Sequence, residues 1–259
     1  MIDQLTALLS LSQGLLWSGF VVLLRVGAMI AVLPVFGEQT IPVRIRLALA
    51  LALCMIVTPA IAPQIGEMPN DVLQVFPLLL PEAITGLFFG LLLRFFVLAL
   101  QIAGSIAAQS TSLSQIFGGS AGSDPQPAIG HVLVVSGLAL AAMMGLHVTF
   151  ASYILATYNI VPVGTFMDTT IVADLGVNAV GRTFSLGFVL AGPFVIASLI
   201  YNETLGVINR AMPQLMVSFV GAPAITAGGL LLLFLTAPLL LSIWIERFSA
   251  VVLNPAGGF

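Results

Sequence analysis

The chain has 259 residues, of which 59% are hydrophobic and 7% are charged, with a net charge of −3. An ordinary soluble domain is about 25% charged, so this composition indicates an integral membrane protein. All seven basic residues are arginines, which excludes lysine-based phosphate binding and Schiff-base chemistry, and no basic patch marks a nucleic-acid partner.

Six apolar regions follow one another along the chain. They are longer than strands and do not alternate in polarity, so they predict helices and an all-α, membrane-type fold of hairpins. The regions run from Leu15 to Phe36, Leu47 to Ala62, Val72 to Ala108, Ala128 to Tyr158, Val177 to Ile208 and Pro223 to Ile245. None of the connections between them resembles a linker, so residues 1–259 are predicted to form a single domain.

Charges and prolines interrupt these regions. A charge at the bilayer centre costs about 2.5–3.5 kcal/mol, so each charge needs a partner, water, or a position outside the hydrocarbon; near a segment end, the alternative is snorkelling. The charges are Arg25, Glu82, Arg94, Arg182 and Glu203. Prolines 34, 59, 77, 81, 193, 223 and 238 are expected to break or bend the segments, which is tolerated where protein or water covers the backbone.

Small residues recur at helix-packing spacing. Gly86 and Gly90 form a G-x-x-x-G pair in the third region, and Gly137, Ala141 and Gly145 form a row in the fourth. Such rows let helix backbones approach closely. They predict tight helix packing, either within the chain or with partner chains.

A polar face precedes a polar loop in the middle of the chain. Gln101, Ser105, Gln109 and Ser112 recur every three to four residues, which places them on one helix face. That face can line a water path or form hydrogen bonds to another helix. The loop that follows is either a movable obstruction, with two bulky apolar side chains before flexible glycines, or a plain surface loop. Its residues are Ser112, Leu113, Ser114, Gln115, Ile116, Phe117, Gly118 and Gly119.

The sequence carries no catalytic signature. His131 and His147 are the only histidines and belong to no H-E-x-x-H motif, so neither a metal site nor a cofactor is predicted. The lone cysteine, Cys54, permits no disulfide within the chain. No G-x-S-x-G motif or triad is present, and the chain is predicted not to be an enzyme.

Two segments of the chain form recognisable motifs. The first is residues 207–230, "VINRAMPQLMVSFVGAPAITAGGL", and the second is residues 25–53, "RVGAMIAVLPVFGEQTIPVRIRLALALAL". Both resemble the FliR family of the type III export gate, which is related to the SctT proteins of injectisomes. Family positions in the first are Asn209, Arg210, Pro213, Gln214, Gly221 and Pro223. In the second they are Arg25, Gly27, Pro34, Phe36, Gly37, Pro42, Arg44 and Arg46. Met216 stands where family members often have asparagine.

The resemblance implies a function that composition alone does not give. A FliR-like protein is a channel component of the flagellar export gate in the bacterial inner membrane, within the basal body. It assembles with FliP and FliQ around a central channel, with FlhB on the cytoplasmic side, and passes unfolded flagellar subunits. The central loop, residues 112–119, is then expected to act as a plug, with Gln101, Ser105 and Gln109 facing the channel. The motif residues are expected to serve assembly.

Two alternatives remain at this level. An injectisome subunit of the SctT type shares the same family features. A small-molecule transporter also has charges within broken membrane helices, although it should show related halves, and no convincing internal repeat is visible.

Overall fold

The computed structural model describes residues 2–38, 40–66, 69, 71–111, 128–212, 217–255 and 257, and none of these lies in a strand. Within this part of the chain the helices are α1 (Ile2–Val32), α2 (Val43–Ile61), α3 (Val72–Ser110), α4 (Ala128–Met143), α5 (Leu146–Ile160), α6 (Thr169–Ala211) and α7 (Val217–Leu253). A 3₁₀ turn, Ala62–Gln64, follows α2. The predicted all-α fold is confirmed.

Three of the helices are much longer than a membrane is thick. Helices α3, α6 and α7 contain 39, 43 and 37 residues. At 1.5 Å per residue they extend for roughly 55–65 Å, about twice the 30 Å of a hydrocarbon core. Five helices are long and apolar enough to cross a membrane, or six spans if the bent pair α4–α5 counts as one.

The fourth apolar region is divided into two helices. α4 and α5 are bent by 81° relative to each other at a short break. Gly145 lies in the break with φ 76°, and its N–H donates to the carbonyl of Ala142 at 3.2 Å. Glycine adopts this left-handed conformation without a steric penalty. One glycine therefore ends α4 and redirects the chain.

The prolines break the helices less often than expected. Six of the seven lie inside helices that continue past them, namely Pro59, Pro77, Pro81, Pro193, Pro223 and Pro238. A proline removes one backbone hydrogen bond, and membrane helices tolerate this where neighbours cover the freed carbonyl. Only Pro34 lies outside the helices, two residues after α1 ends.

The chain forms two compact units. Unit 1 comprises Met1–Arg94, Ala141–Ala179 and Phe248–Phe259. Its core is formed by apolar side chains at helical spacing, such as Val22, Val26 and Met29 on α1 and Phe150, Tyr153 and Ile154 on α5. In a membrane protein these side chains stabilise the unit mainly by van der Waals packing, because lipid tails are as apolar as the side chains themselves.

Helix α1 packs tightly against α3 through the predicted glycine pair. A Cβ at Gly86 would lie 2.3 Å from the carbonyl oxygen of Arg25, and one at Gly90 would lie 2.9 Å from that of Met29. Both distances are too short for a real Cβ. The predicted close packing at Gly86 and Gly90 is confirmed, and it occurs within the chain.

A side-chain cap defines the start of α6, in unit 1. The backbone N–H of Thr170 donates to Asp168 Oδ1 at 2.9 Å, and the Thr170 hydroxyl donates to the same oxygen. These hydrogen bonds favour the charged carboxylate and lower the pKa of Asp168 below its ordinary value. The negative charge also complements the positive end of the helix dipole.

Unit 2 comprises Phe95–Leu140 and Val180–Arg247, and glycines set its helix spacing. A Cβ at Gly104 of α3 would lie 2.0 Å from the Cα of Gly130 in α4. A Cβ at Gly187 of α6 would lie 2.8 Å from Ile102 Cγ2 of α3. Trp244 is fully buried and donates its indole N–H to the carbonyl of Phe96 at 2.8 Å. This unit is therefore held by close backbone contact around the second half of α3.

Adjacent glycines in α7 give a sharp test of this packing. A Cβ at Gly229 would lie 2.6 Å from Thr111 Cγ2 and 2.9 Å from its Cβ, whereas a Cβ at Gly228 meets nothing within 4 Å. We expect Gly229→Ala to lower the free energy of unfolding by about 1–3 kcal/mol through overpacking. Gly228→Ala should raise it by about 0.5–1 kcal/mol through helix propensity. Thermal unfolding of the two variants in the same detergent measures both, and equal shifts of the same sign would contradict the packing.

Candidate functional site

A buried ion pair forms the centre of unit 1. Arg25 of α1 donates through Nε to Glu82 Oε2 at 2.8 Å and through Nη2 to Glu82 Oε1 at 2.9 Å. Both side chains are 0% exposed. The fork of the guanidinium matches the two carboxylate oxygens, which is the strongest form of this contact. These two charges thus neutralise each other inside apolar segments.

The same pair holds the backbone that follows α5. Arg25 Nη1 donates to the carbonyl oxygen of Val161 at 3.0 Å, and the Gly164 N–H donates to Glu82 Oε1 at 2.9 Å. Val161 caps the C-terminus of α5, so the arginine faces the negative end of a helix dipole. Gly164 has φ 69°, a conformation that suits glycine.

An aromatic face completes the surroundings of Arg25. Its Cζ lies 3.8 Å from the ring centroid of Tyr158, within the range of a cation–π contact. With one carboxylate, one carbonyl and one ring, the buried guanidinium has partners on several sides. A buried charge without such partners would cost several kcal/mol. The arrangement serves to hold helices and a loop together, and its lack of exposure makes contact with a passing substrate impossible.

A second ion pair joins α3 to the turn between α1 and α2. Arg94 Nη1 contacts Glu38 Oε1, and the two side chains are 29% and 25% exposed. Arg46 holds the same turn by its backbone, donating to the carbonyl oxygens of Glu38 and Ile41 at 3.0–3.1 Å. A Cβ at Gly37 would lie 2.7 Å from the Leu33 oxygen, and Pro42 immediately precedes the first turn of α2. Pro34, Gly37, Pro42 and Arg46 thus shape one turn.

The remaining charges within apolar regions lie on the surface of the chain. Arg182 and Glu203 of α6 are both exposed. Of the five charges that interrupt the apolar regions, Arg25 and Glu82 are therefore buried together, whereas Arg182 and Glu203 are exposed. The fifth, Arg94, is partly buried with Glu38.

The C-terminal signature segment lies in unit 2. Asn209 and Arg210 are exposed at the end of α6, and Pro223 is exposed on α7. Gly221 is buried, and its carbonyl accepts a 2.6 Å hydrogen bond from the Tyr201 hydroxyl. A Cβ at Gly221 would lie 3.1 Å from Leu205 Cδ1. Pro213 and Gln214 lie outside the described residues.

The predicted channel-facing residues lie on the second half of α3. Gln101 and Ser105 are half-buried and Gln109 is exposed. The Ser105 hydroxyl donates to the carbonyl of Ile102 at 2.9 Å, within its own helix. The predicted plug lies outside the described residues; it comprises Ser112, Leu113, Ser114, Gln115, Ile116, Phe117, Gly118 and Gly119. The residues on either side of this gap are described, and Thr111 and Ile129 are both buried.

Several functional contacts had no signal in the sequence. The partner of Arg94 is Glu38, 56 residues away, and no sequence pattern links the two. Tyr158 and Tyr201 carry no signal either, because tyrosines in apolar regions commonly belong to the core. Within the described part of the chain, no three histidine, cysteine or carboxylate side chains lie close enough to hold a metal ion.

Long apolar helices, paired charges inside them and extensive exposed apolar faces define a polytopic helical membrane protein. Its sequence matches the family described as "Bacterial export proteins, family 1" over residues 16–251. The chain therefore belongs to this family of export proteins, and the FliR resemblance of its two motif segments is confirmed.

Relatives named as flagellar proteins agree with this assignment. The chain is 33% identical over 231 residues to the flagellar biosynthetic protein FliR of Caulobacter vibrioides, covering 88% of this chain and 91% of that protein. It is 29% identical to FliR of Escherichia coli K12, covering 88% and 87%. It is also 29% identical to FliR of Aquifex aeolicus, covering 83% of each chain.

Removing one member of the buried pair should destabilise the protein strongly. We expect Arg25→Leu to lower the free energy of unfolding by about 3–5 kcal/mol, because Glu82 is left charged and buried. Arg94→Leu is the matched control, since its ion pair is partly exposed and contributes no more than about 1 kcal/mol. Thermal unfolding in detergent, together with the amount of chain in the membrane, measures the difference.

The double variant Arg25→Leu/Glu82→Leu separates charge from packing. It removes both charges but leaves the Val161 carbonyl and the Gly164 N–H without partners. It should therefore be more stable than Arg25→Leu and less stable than the natural chain. If Arg25→Leu and Arg94→Leu lost equal stability, the buried pair would not be the centre of unit 1.

Proposed function

We propose that the chain is a channel-forming component of the flagellar type III export gate in the bacterial inner membrane, passing unfolded flagellar subunits across it. The observation that carries this proposal is the family match over residues 16–251. Relatives named as flagellar proteins support flagellar export over an injectisome role. The function is one of transport within the flagellar basal body, without catalysis.

Partner subunits are required by the apolar surface. Exposed apolar side chains continue along α6 from Val180 to Val207, both in unit 2. This is about 40 Å of helix, which exceeds the roughly 30 Å of a hydrocarbon core. Lipid therefore covers only part of this face. The remainder needs apolar protein, and we propose FliP and FliQ as the subunits that cover it, with FlhB joining on the cytoplasmic side.

The exposed polar groups of α6 add specificity to that surface. Glu203 and Arg210 are exposed on a helix that is otherwise rich in exposed apolar side chains. A charge facing hydrocarbon is costly, whereas one in a subunit interface fixes register and excludes wrong partners. We propose that these groups, with Asn209, are assembly contacts.

We further propose that the loop at residues 112–119 is the plug of the channel. Its support is chemical: neutral polar residues beside Gln101, Ser105 and Gln109 suit a water-filled path, and the glycines permit movement. The helices leading into it are firmly held, since Thr111 contacts Gly229 and Gly130 contacts Gly104. We therefore propose that the gating movement belongs to the loop and not to these helices.

Assembly can be tested by expression with and without partners. Expressed alone, the chain should aggregate or be degraded, because its long apolar faces are uncovered. Co-expression with FliP- and FliQ-like proteins should restore a stable complex, measured by pull-down and size-exclusion chromatography. A long-lived, monodisperse monomer in mild detergent would refute the proposal. A small-molecule transporter would behave in that way.

The plug can be tested by ion conductance. Deleting residues 114–119 should leave the complex assembled and make the membrane leaky to ions, because the side chains of Ile116 and Phe117 no longer obstruct the path. The closed state needs to be favoured by only a few kcal/mol to keep the open population small. Conductance is measured across bilayers that hold equal amounts of each complex.

A substitution pair controls for damage to loops in general. Ile116→Ser/Phe117→Ser should reproduce the leak without a deletion. Phe166→Ser changes a 60% exposed aromatic residue in another connection and should leave conductance unchanged. Equal conductance in all assembled complexes would show that the loop is not the barrier.

A further inference from the structure

A strained turn lies within the N-terminal motif. Val35 has φ 71°, and it is the one non-glycine residue with positive φ in the described part of the chain. The Phe36 N–H donates to the Pro34 carbonyl at 2.9 Å, which closes a three-residue γ-turn around Val35. This form of γ-turn is rare and strained, and a β-branched residue makes the strain greater.

The surrounding contacts keep Val35 in this conformation. The Gly37 N–H donates to the Leu33 carbonyl at 2.7 Å, which requires the chain to double back. Arg46 holds the carbonyls of Glu38 and Ile41, and Arg94 holds the Glu38 carboxylate. Strained backbone persists only where its surroundings over-determine it. Here those surroundings include the Arg94–Glu38 ion pair, whose two side chains are 29% and 25% exposed.

The residue type at position 35 adds to the strain of the turn. Glycine adopts φ near 70° without a penalty, and the chain has glycine at 37, only two positions away. Valine at 35 makes the left-handed conformation unfavourable by itself. The clamped turn therefore depends on the contacts that its two arginines make.

We propose that residues 33–38 form a two-state turn that the Arg94–Glu38 ion pair holds in its strained conformation. When the pair is broken, Val35 relaxes, the two hydrogen bonds donated by Phe36 and Gly37 are lost, and the connection between α1 and α2 changes. The buried Arg25–Glu82 pair is shielded from such disturbance, whereas a charged group of a partner can reach Arg94 and Glu38. This device is independent of whether the chain conducts export.

Hydrogen exchange at the Phe36 and Gly37 amides reports the state of the turn directly, in the complex as purified. Glu38→Gln should speed their exchange about fivefold, because the clamp is weakened by about 1 kcal/mol while the strain remains. Adding Val35→Gly should return exchange to within about twofold of the natural chain, since glycine has no Cβ and adopts positive φ without a penalty. Val35→Ala is the matched control, because alanine keeps the Cβ that disfavours this φ.

Salt provides a second measurement that needs no change to Glu38. Raising the salt concentration from about 0.05 M to about 1 M screens exposed ion pairs, so it should speed exchange at both amides in the natural chain and not in Val35→Gly. Unchanged exchange in Glu38→Gln and at high salt would overturn the proposal. Equal rescue by Val35→Gly and Val35→Ala would also overturn it, because the strain would then play no part.

Discussion

The bidentate contact between Arg25 and Glu82 fixes where three separate stretches of unit 1 meet. It joins α1 to α3 directly, and through the Val161 carbonyl and the Gly164 N–H it fixes the backbone that leaves α5. Apolar side chains cannot do this alone, because van der Waals packing in a membrane protein has little directional preference. The hydrogen bonds of a buried pair have strict geometry, and any shift of one helix leaves a charge unmatched. The pair therefore specifies the arrangement, although a well-packed apolar replacement can equal it in stability.

The glycine contacts follow from the same constraint. Arg25 reaches Glu82 only if α1 and α3 lie close together, and Gly86 provides that approach beside the Arg25 carbonyl. In unit 2, Gly104 and Gly130 bring two backbones together, and Trp244 fills the adjoining core and donates its indole N–H to the carbonyl of Phe96. Both units thus combine close backbone approach at glycine with directional polar contacts. In unit 1 the directional contact is the buried ion pair, and in unit 2 it includes the indole hydrogen bond.

Much of the fold was predictable from the sequence, because long apolar runs can satisfy their backbone in lipid only as helices. The Gly86–Gly90 packing was also predictable from its spacing. The charge partners were not, since Glu82 and Glu38 lie more than fifty residues from Arg25 and Arg94, and pairing at that distance depends on the tertiary fold. The breaks expected at the prolines did not occur at six of the seven positions, because a helix can continue past the single backbone hydrogen bond that a proline removes. The break at Gly145 and the turn at Val35 each depend on one positive φ angle. The turn was not predictable because valine disfavours positive φ.

The contrast between the interior and the exterior of this chain gives a physical reason for its place in an assembly. Its interior charges are satisfied within unit 1, so folding of that unit needs no outside group. Its exterior has the opposite character: exposed apolar side chains run along α6 for about 40 Å, and Glu203 and Arg210 lie on the same helix. Hydrocarbon is a poor environment for such charges, and water is a poor environment for so large an apolar area. A protein neighbour with matching apolar and polar groups would satisfy both, which is the physical reason for placing the proposed assembly surface on this helix.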